Sequence, residues 1–223
     1  SGDPYQITEL GNLVWMSQVV ANLSGVCFKQ MNNIDASDTA NWTGGFAPIG
    51  NGSSAYYFQG SYDGNGKTIT DLTINRPTTD YVALFGYIGS GGSVSNLAIL
   101  GGTVTGKNYV GGLAGGNSGT LTDSQASGRV SGGSSVGGLV GGVWKGSMIR
   151  NCYATGAVSG SSAVGGLVGN SDTYQGSSMI ADCHATGEVQ GGSTVGGLLG
   201  YNSYTNGITS ITNSYATGAV AGG

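Results

Sequence analysis

Few side chains in this sequence have types and spacings that could do chemistry. Ser135 stands in GSSVG, residues 133–137, which fits the G-x-S-x-G nucleophile elbow. That motif needs a helix after the serine and a histidine to take its proton. No helical pattern follows, and the one histidine is His184, so the match reads as accidental. GNGKT at 64–68 ends like a phosphate loop, but Ser61 stands where the P-loop needs glycine. In the same stretch Asp63 and Asn65 offer the oxygen donors that calcium takes. They are the candidate calcium ligands, although a tight DGNG turn is the preferred reading. Cys27, Cys152 and Cys183 are sparse and odd in number, which argues against a disulfide framework. Although stacking would bring Cys152 and Cys183 within disulfide range, free inward thiols are the preferred reading.

Composition narrows the classes. The chain has 223 residues, a net charge of −4 and only 8% charged residues. There is no Lys/Arg run, so a nucleic-acid footprint is absent. No apolar run reaches the ~18 residues of a membrane-spanning helix. Glycine supplies 46 residues, yet 38% of the chain is hydrophobic, which argues for a packed fold rather than disorder. A surface of Ser, Thr, Asn, Gly and Tyr suits an extracellular protein. Asn22, Asn41 and Asn51 begin N-x-S/T triplets, a weak signal at that length.

Behind these residues lies a repeat. NCYATGAVSG at 151 returns as DCHATGEVQG at 182 and NSYATGAVAG at 213, and VGGLVG-type phrases accompany it at Val110, Val136, Val164 and Val195. With the degenerate YVALFG at 81, the valine steps are 28, 26, 28 and 31 residues. Such a period signals a stacked architecture. Paired glycines disfavour helices by about 1 kcal/mol each. Three short β-prone runs per unit, punctuated by Gly and Asn, predict one coil of a three-sided, right-handed parallel β-helix, with seven or eight coils in one domain. Residues 1–40 form an N-terminal cap, with Thr8 capping a helix over about 9–20 whose shared face is Leu10, Leu13, Val14 and Ser17. Residues 41–80 form irregular first coils. The repeats are 81–108, 109–135, 136–163, 164–194 and 195–223.

Stacking predicts columns of side chains. Val94, Leu121, Ile149, Ile180 and Ile211 fall in one, and Asn96, Asp123, Asn151, Asp182 and Asn213 form a polar ladder at a bend. Leu97, Ser124, Cys152, Cys183 and Ser214 point inward. Ala98, Gln125, Tyr153, His184 and Tyr215 point outward, which removes His184 from any zinc site with the cysteines. Asp123 and Asp182 would stand roughly 10 Å apart, near the spacing of an inverting glycosidase pair. Asn151 between them, and amides at most equivalent positions, count against that use.

The VGGLVG…I-x-NCYATG-x-VSG pattern resembles that of GLUG-motif proteins, surface or secreted proteins of bacteria and archaea. DPYQI and FQGSYDGNGKTI are similar to what precedes such repeats. The resemblance implies an exported β-solenoid, often in adhesin-like or very long surface proteins, some with attached peptidase modules. It carries over no catalytic residues.

The expected function is therefore a non-enzymatic, secreted or cell-surface stalk or adhesin segment with no cofactor. Glycan or protein partners would meet it at the outward column Tyr153, His184 and Tyr215. The alternatives are a filament subunit that self-associates through an uncapped C-terminal coil, and a polysaccharide-active enzyme. Neither nucleic-acid binding nor membrane insertion is expected.

Overall fold

The computed structural model describes residues 3–20, 23–173, 176–203 and 207–223. Parallel strands stack in register around three faces. One coil shows the path. Arg129–Ser131 and Ser134–Gly137 lie on the third face, Val140–Trp144 on the second, and Met148–Arg150 and Tyr153–Ala154 on the first. Each strand pairs with its equivalent one coil on, so that Val110, Val136, Val164 and Val195 are successive neighbours.

The molecule has about six turns rather than seven or eight. Among the described residues, six strands stack in the continuous path of the third face, beginning with Thr73–Asn75. The earlier strands Tyr5–Ile7, Cys27–Gln30 and Ser61–Thr70 extend only the first face. Ile49 and Phe58 reach the strands of the second face through single bridges. The N-terminal segment lacks the period that gives a full coil three paired strands.

The short cap helix runs Leu10–Val19. Glu9, not Thr8, is its N-cap, paired with Asn12 in a capping box. Thr8 instead donates from its backbone N–H and its hydroxyl to Asn12 Oδ1, at 2.9 and 3.1 Å. Leu13 and Met16, together with Val20 just beyond the helix, enter the core. This inward face is turned by most of one residue from the expected Leu10-to-Ser17 stripe.

Two devices turn the corners. In VGGLVG at 136–141 none of the three glycines has positive φ. They are required by space. A Cβ on Gly137 would strike the Val140 carbonyl, on Gly138 the Gly166 carbonyl of the next coil, and on Gly141 the backbone of Tyr109 and Val110. The left-handed conformation falls instead to side-chain-bearing residues. Asn96, Asp123, Asn151, Asp182 and Asn213 bend the first face at φ of 48–54° or 55°. Asn and Asp are the non-glycine residues that tolerate this region best. A second left-handed column, Tyr81, Tyr109, Ser135, Ala163 and Thr194, sits just before the glycine corner.

The core is one continuous hydrophobic cluster from Ile7 to Val189. Within the repeats it consists of single-file columns of Val, Leu, Ile and Ala.

Candidate functional site

The first face carries the predicted outward column. Its bend places three ladders side by side. On the inner ladder, Ser124 Oγ donates to the Thr122 carbonyl at 2.7 Å, and Ser214 Oγ to the Thr212 carbonyl at 2.8 Å. Cys152 and Cys183 do the same to Arg150 and Ala181, at 3.1 and 3.0 Å. The Ser/Cys alternation therefore has one cause: a small donor must reach a carbonyl turned away by the left-handed residue between them. Both thiols are free and buried. Contact with the Cys183 thiol, and then burial, hold Cys152 well above the ordinary thiol range.

On the middle ladder, acids and amides alternate. Asn96 Nδ2 donates to Asp63 Oδ1 at 3.0 Å, Asn151 to Asp123 at 2.6 Å, and Asn213 to Asp182 at 3.2 Å. No two carboxylates occupy adjacent rungs, so each acid accepts from an amide instead of facing a like charge. Asp123 and Asp182 are thus held by Asn151 and Asn213, and Asp182 also meets Arg150 at 3.3 Å. That pair is exposed on both sides, and such pairs contribute little to stability.

Asp63, the weaker calcium candidate within a segment read first as a tight turn, belongs to this ladder. DGNG is a bulge within a continuous strand, where the pairing slips between Asp63 and Lys67. Asp63 Oδ1 accepts from the Asn65 backbone at 2.8 Å as well as from Asn96, while Asn65 Nδ2 donates to the Gln30 carbonyl at 3.1 Å. Both side chains are thus engaged in shaping the bulge. Among the described residues, no three His, Cys, Asp or Glu side chains converge as metal ligands would.

On the outer ladder, Tyr153, His184 and Tyr215 stack in register. The ring centroids are 4.7 and 5.2 Å apart with 7° between planes in each pair, within the offset-stacked range. The rings thereby cover one another, leaving their edges and the two terminal faces. Tyr153 is the last ring toward the N-terminus, because its partner on that side is Gln125. There it borders a groove of about 260 Å³, together with Asn96, Asp123, Gln125 and Asn151. An aromatic edge, one carboxylate and three amides thus converge on one concavity. Its chemistry is hydrogen bonding and ring contact.

Ser135 lies far from this face in the coil. It occupies the left-handed corner column and has no histidine partner, since His184 is enclosed between two tyrosines. The G-x-S-x-G match therefore builds no nucleophile. Asn41 and Asn51 are exposed, and Asn22 lies outside the described residues.

Sequence reading missed a second aromatic group. Tyr57, Tyr81, Tyr87, Tyr109 and Trp144 pack over the corner between the third and second faces. Tyr57 stacks on Tyr87 at 4.0 Å, Tyr81 on Tyr109 at 4.7 Å, and Trp144 lies 5.2 Å from Tyr109 and 5.3 Å from Tyr87. Burial pushes the Tyr81 and Tyr87 hydroxyls up to about 12, and raises Tyr109. The available signal was the tyrosine that opens YVALFG and YVGGLAG and is replaced in later copies.

In class, then, this is a parallel β-solenoid repeat protein with polar and aromatic ladders on its outer surface. The GLUG motif model matches residues 106–131, 132–159, 160–190 and 191–221, and the chain belongs to that family. It is 36% identical over 129 residues to halomucin of Haloquadratum walsbyi, covering 56% of this chain and 1% of that protein. It is 38% identical over 101 residues to a "Putative Gly-rich membrane protein" of Evansella cellulosilytica, covering 44% of this chain and 12% of the other. The chain thus spans a small fraction of either relative. The crystal structure of "a putative immunoglobulin A1 protease from Bacteroides ovatus" superposes with a TM-score of 0.79 at 22% identity, over 99% of this chain and 68% of the other. That likeness is one of fold.

Proposed function

We propose that this chain is a non-catalytic, rigid segment of an exported surface protein, and that it holds glycans in the groove beside Tyr153. The relatives named as halomucin and as a membrane protein support a cell-surface setting. The stacked register supports rigidity, since the repeat coils are hydrogen-bonded to one another along three faces. The observation that carries the binding role is the convergence of Tyr153 with Asp123, Asn151 and Gln125 on one open groove. Aromatic side chains combine an apolar face with edge polarity, and amide–carboxylate pairs present both donors and acceptors to hydroxyl groups.

A glycan array probed with the wild-type protein and with Tyr153→Ala and Asp123→Ala tests this reading. Binding to a defined set of glycans, lost in both variants, is the expected result. Equal binding by all three proteins would remove the groove from consideration.

A further inference from the structure

The corner opposite the Tyr153 groove carries a second concavity, and its shape follows from where an aromatic ladder stops. In the left-handed corner column, Tyr81 and Tyr109 stack with 13° between their planes. The next three positions of the column are Ser135, Ala163 and Thr194. On the adjoining second face, the outward column reads Tyr87, Gly116, Gly142, Asn170 and Tyr201. Trp144 leans back over Gly116 and Gly142, so closely that a Cβ on either would meet its ring. The aromatic wall therefore ends at Tyr109 and Trp144, and no ring covers Ser135 or Ala163. The next aromatic residue on this corner is Tyr201, 46% exposed on the Thr194 rung. A groove of about 330 Å³ lies between, bordered by Tyr109, Ser134, Ser162, Asn170, Thr194 and Tyr201. That volume falls at the lower end of small-molecule sites, about 300 Å³ upward.

We infer that this notch between Tyr109 and Tyr201 is a binding site for a neutral saccharide, separate from the groove beside Tyr153. Its chemistry selects the ligand class. None of the residues around it is charged, which leaves an anionic sugar or phosphate without a counter-charge. The polar groups are hydroxyls and one amide, the donors and acceptors that match sugar hydroxyls. Tyrosines at both ends supply apolar surface for the C–H faces of a sugar ring. Asn170 shows an unmet need. Its Oδ1 is buried without a hydrogen-bond partner, a state that buried polar atoms rarely keep. Asn170 also lines the notch, so the accessible part of its amide can meet a ligand hydroxyl. Thr194 Oγ1 accepts from the Ala163 backbone at 2.9 Å and shares a longer contact of 3.4 Å with the Ser162 hydroxyl, so one hydroxyl proton of this pair can turn to a ligand.

The column itself suggests the decisive variant. Because this left-handed position accepts tyrosine at 81 and 109, Ala163→Tyr fits the backbone and fills the notch. Titrations with maltotetraose, cellotetraose, mannotetraose and a galacturonic acid tetramer would be followed by NMR at the Ser135 and Ala163 backbone amides. These nuclei are remote from Tyr153, so loss of the first-face groove does not move the readout. The expected result is saturable shifts with at least one neutral tetramer and none with the uronic acid. Affinity should fall about tenfold or more in both Ala163→Tyr and Tyr201→Ala, and should hold in Tyr56→Ala, an exposed tyrosine elsewhere. For Ala163→Tyr, whose own amide environment changes, Ser135 reports. No saturable shift with any neutral tetramer overturns the assignment, as does unchanged affinity in either notch variant or equal binding of the uronic acid.

Discussion

The aperiodic coils before residue 89 and the repeats after residue 106 solve the same packing problem in different ways. All four phenylalanines, Phe28, Phe46, Phe58 and Phe85, are buried in the first region, with Tyr62 beside them. They form a chain of rings along the interior, with Phe28–Phe58 at 6.2 Å, Phe58–Phe85 at 5.0 Å and Tyr62–Phe85 at 5.6 Å. The buried Tyr62 hydroxyl donates to Gln30 Oε1 at 2.9 Å, and Gln30 Nε2 donates to the carbonyls of Asn32 and Thr68. The repeats contain no phenylalanine, and their buried polar contacts are small, such as Asn117 Nδ2 donating to Ser147 Oγ at 2.7 Å. Identical small residues stack on themselves, and glycine corners bring backbone onto backbone. A repeat can use thin, uniform columns because its neighbour is a near-copy. Where the neighbour differs, large rings must fill unequal gaps.

Core truncations should show this contrast most strongly. Phe85→Ala is expected to cost about 3–5 kcal/mol, because its ring bridges the aperiodic and repeating parts. Leu167→Ala in a uniform column falls in a range of about 2–5 kcal/mol and should sit nearer its lower end. Denaturant unfolding of both variants measures the order, and a larger loss for Leu167→Ala would reverse the comparison. Next come the corner glycines. Gly137→Ala forces a methyl against the Val140 carbonyl, an overpacking of about 1–3 kcal/mol or more. Gly66→Ala meets nothing within 4 Å at φ +68°, so only the left-handed penalty of about 1–2 kcal/mol applies. Equal destabilisation by the two would mean that conformation, not space, selects glycine in VGGL.

On the acid–amide ladder, Asn151→Asp puts a third carboxylate between Asp123 and Asp182 and removes the amide that donates to Asp123. A loss of about 1 kcal/mol is expected near neutral pH, shrinking when the pH is lowered enough to protonate the carboxyls. A pH-independent loss would show that the alternation is incidental. The smallest effect concerns alkali. Burial raises Tyr81 and Tyr87 from 10.0 to about 12, and raises Tyr62 and Tyr109 as well. A raised tyrosine keeps its full contribution below the unfolded value. Between pH 10 and 12 the unfolded chain loses protons that the folded one retains, so stability falls there. Denaturant unfolding across this window should show the midpoint falling as pH rises, and less so in Tyr81→Phe. An equal fall in both proteins would speak against it.

Much of this was legible because the repeat makes sequence neighbours into spatial ones. The period aligned the columns on the first face, and the rings of Tyr153, His184 and Tyr215 do stack in register there. What escaped was local or aperiodic. DGNG reads as a turn, but the strand continues through it as a bulge because Asn65 and Asp63 bond to the neighbouring rungs. The helix face differs because Leu13, Met16 and Val20 are the residues that enter the buried cluster. Tyr81 and Tyr109 open the same phrase one repeat apart, but Tyr87 and Trp144 lie elsewhere in their repeats, so no spacing rule joins them to that pair. Only the corner geometry does.

Stacking of residues one coil apart underlies every column described, and methyl–methyl nuclear Overhauser contacts test it most directly. In protein labelled at valine methyl groups, Val110, Val136, Val164 and Val195 should give sequential cross-peaks, each valine to the next copy and not to the one beyond. Absence of the Val136–Val164 cross-peak in folded protein would contradict the solenoid and, with it, both proposed grooves.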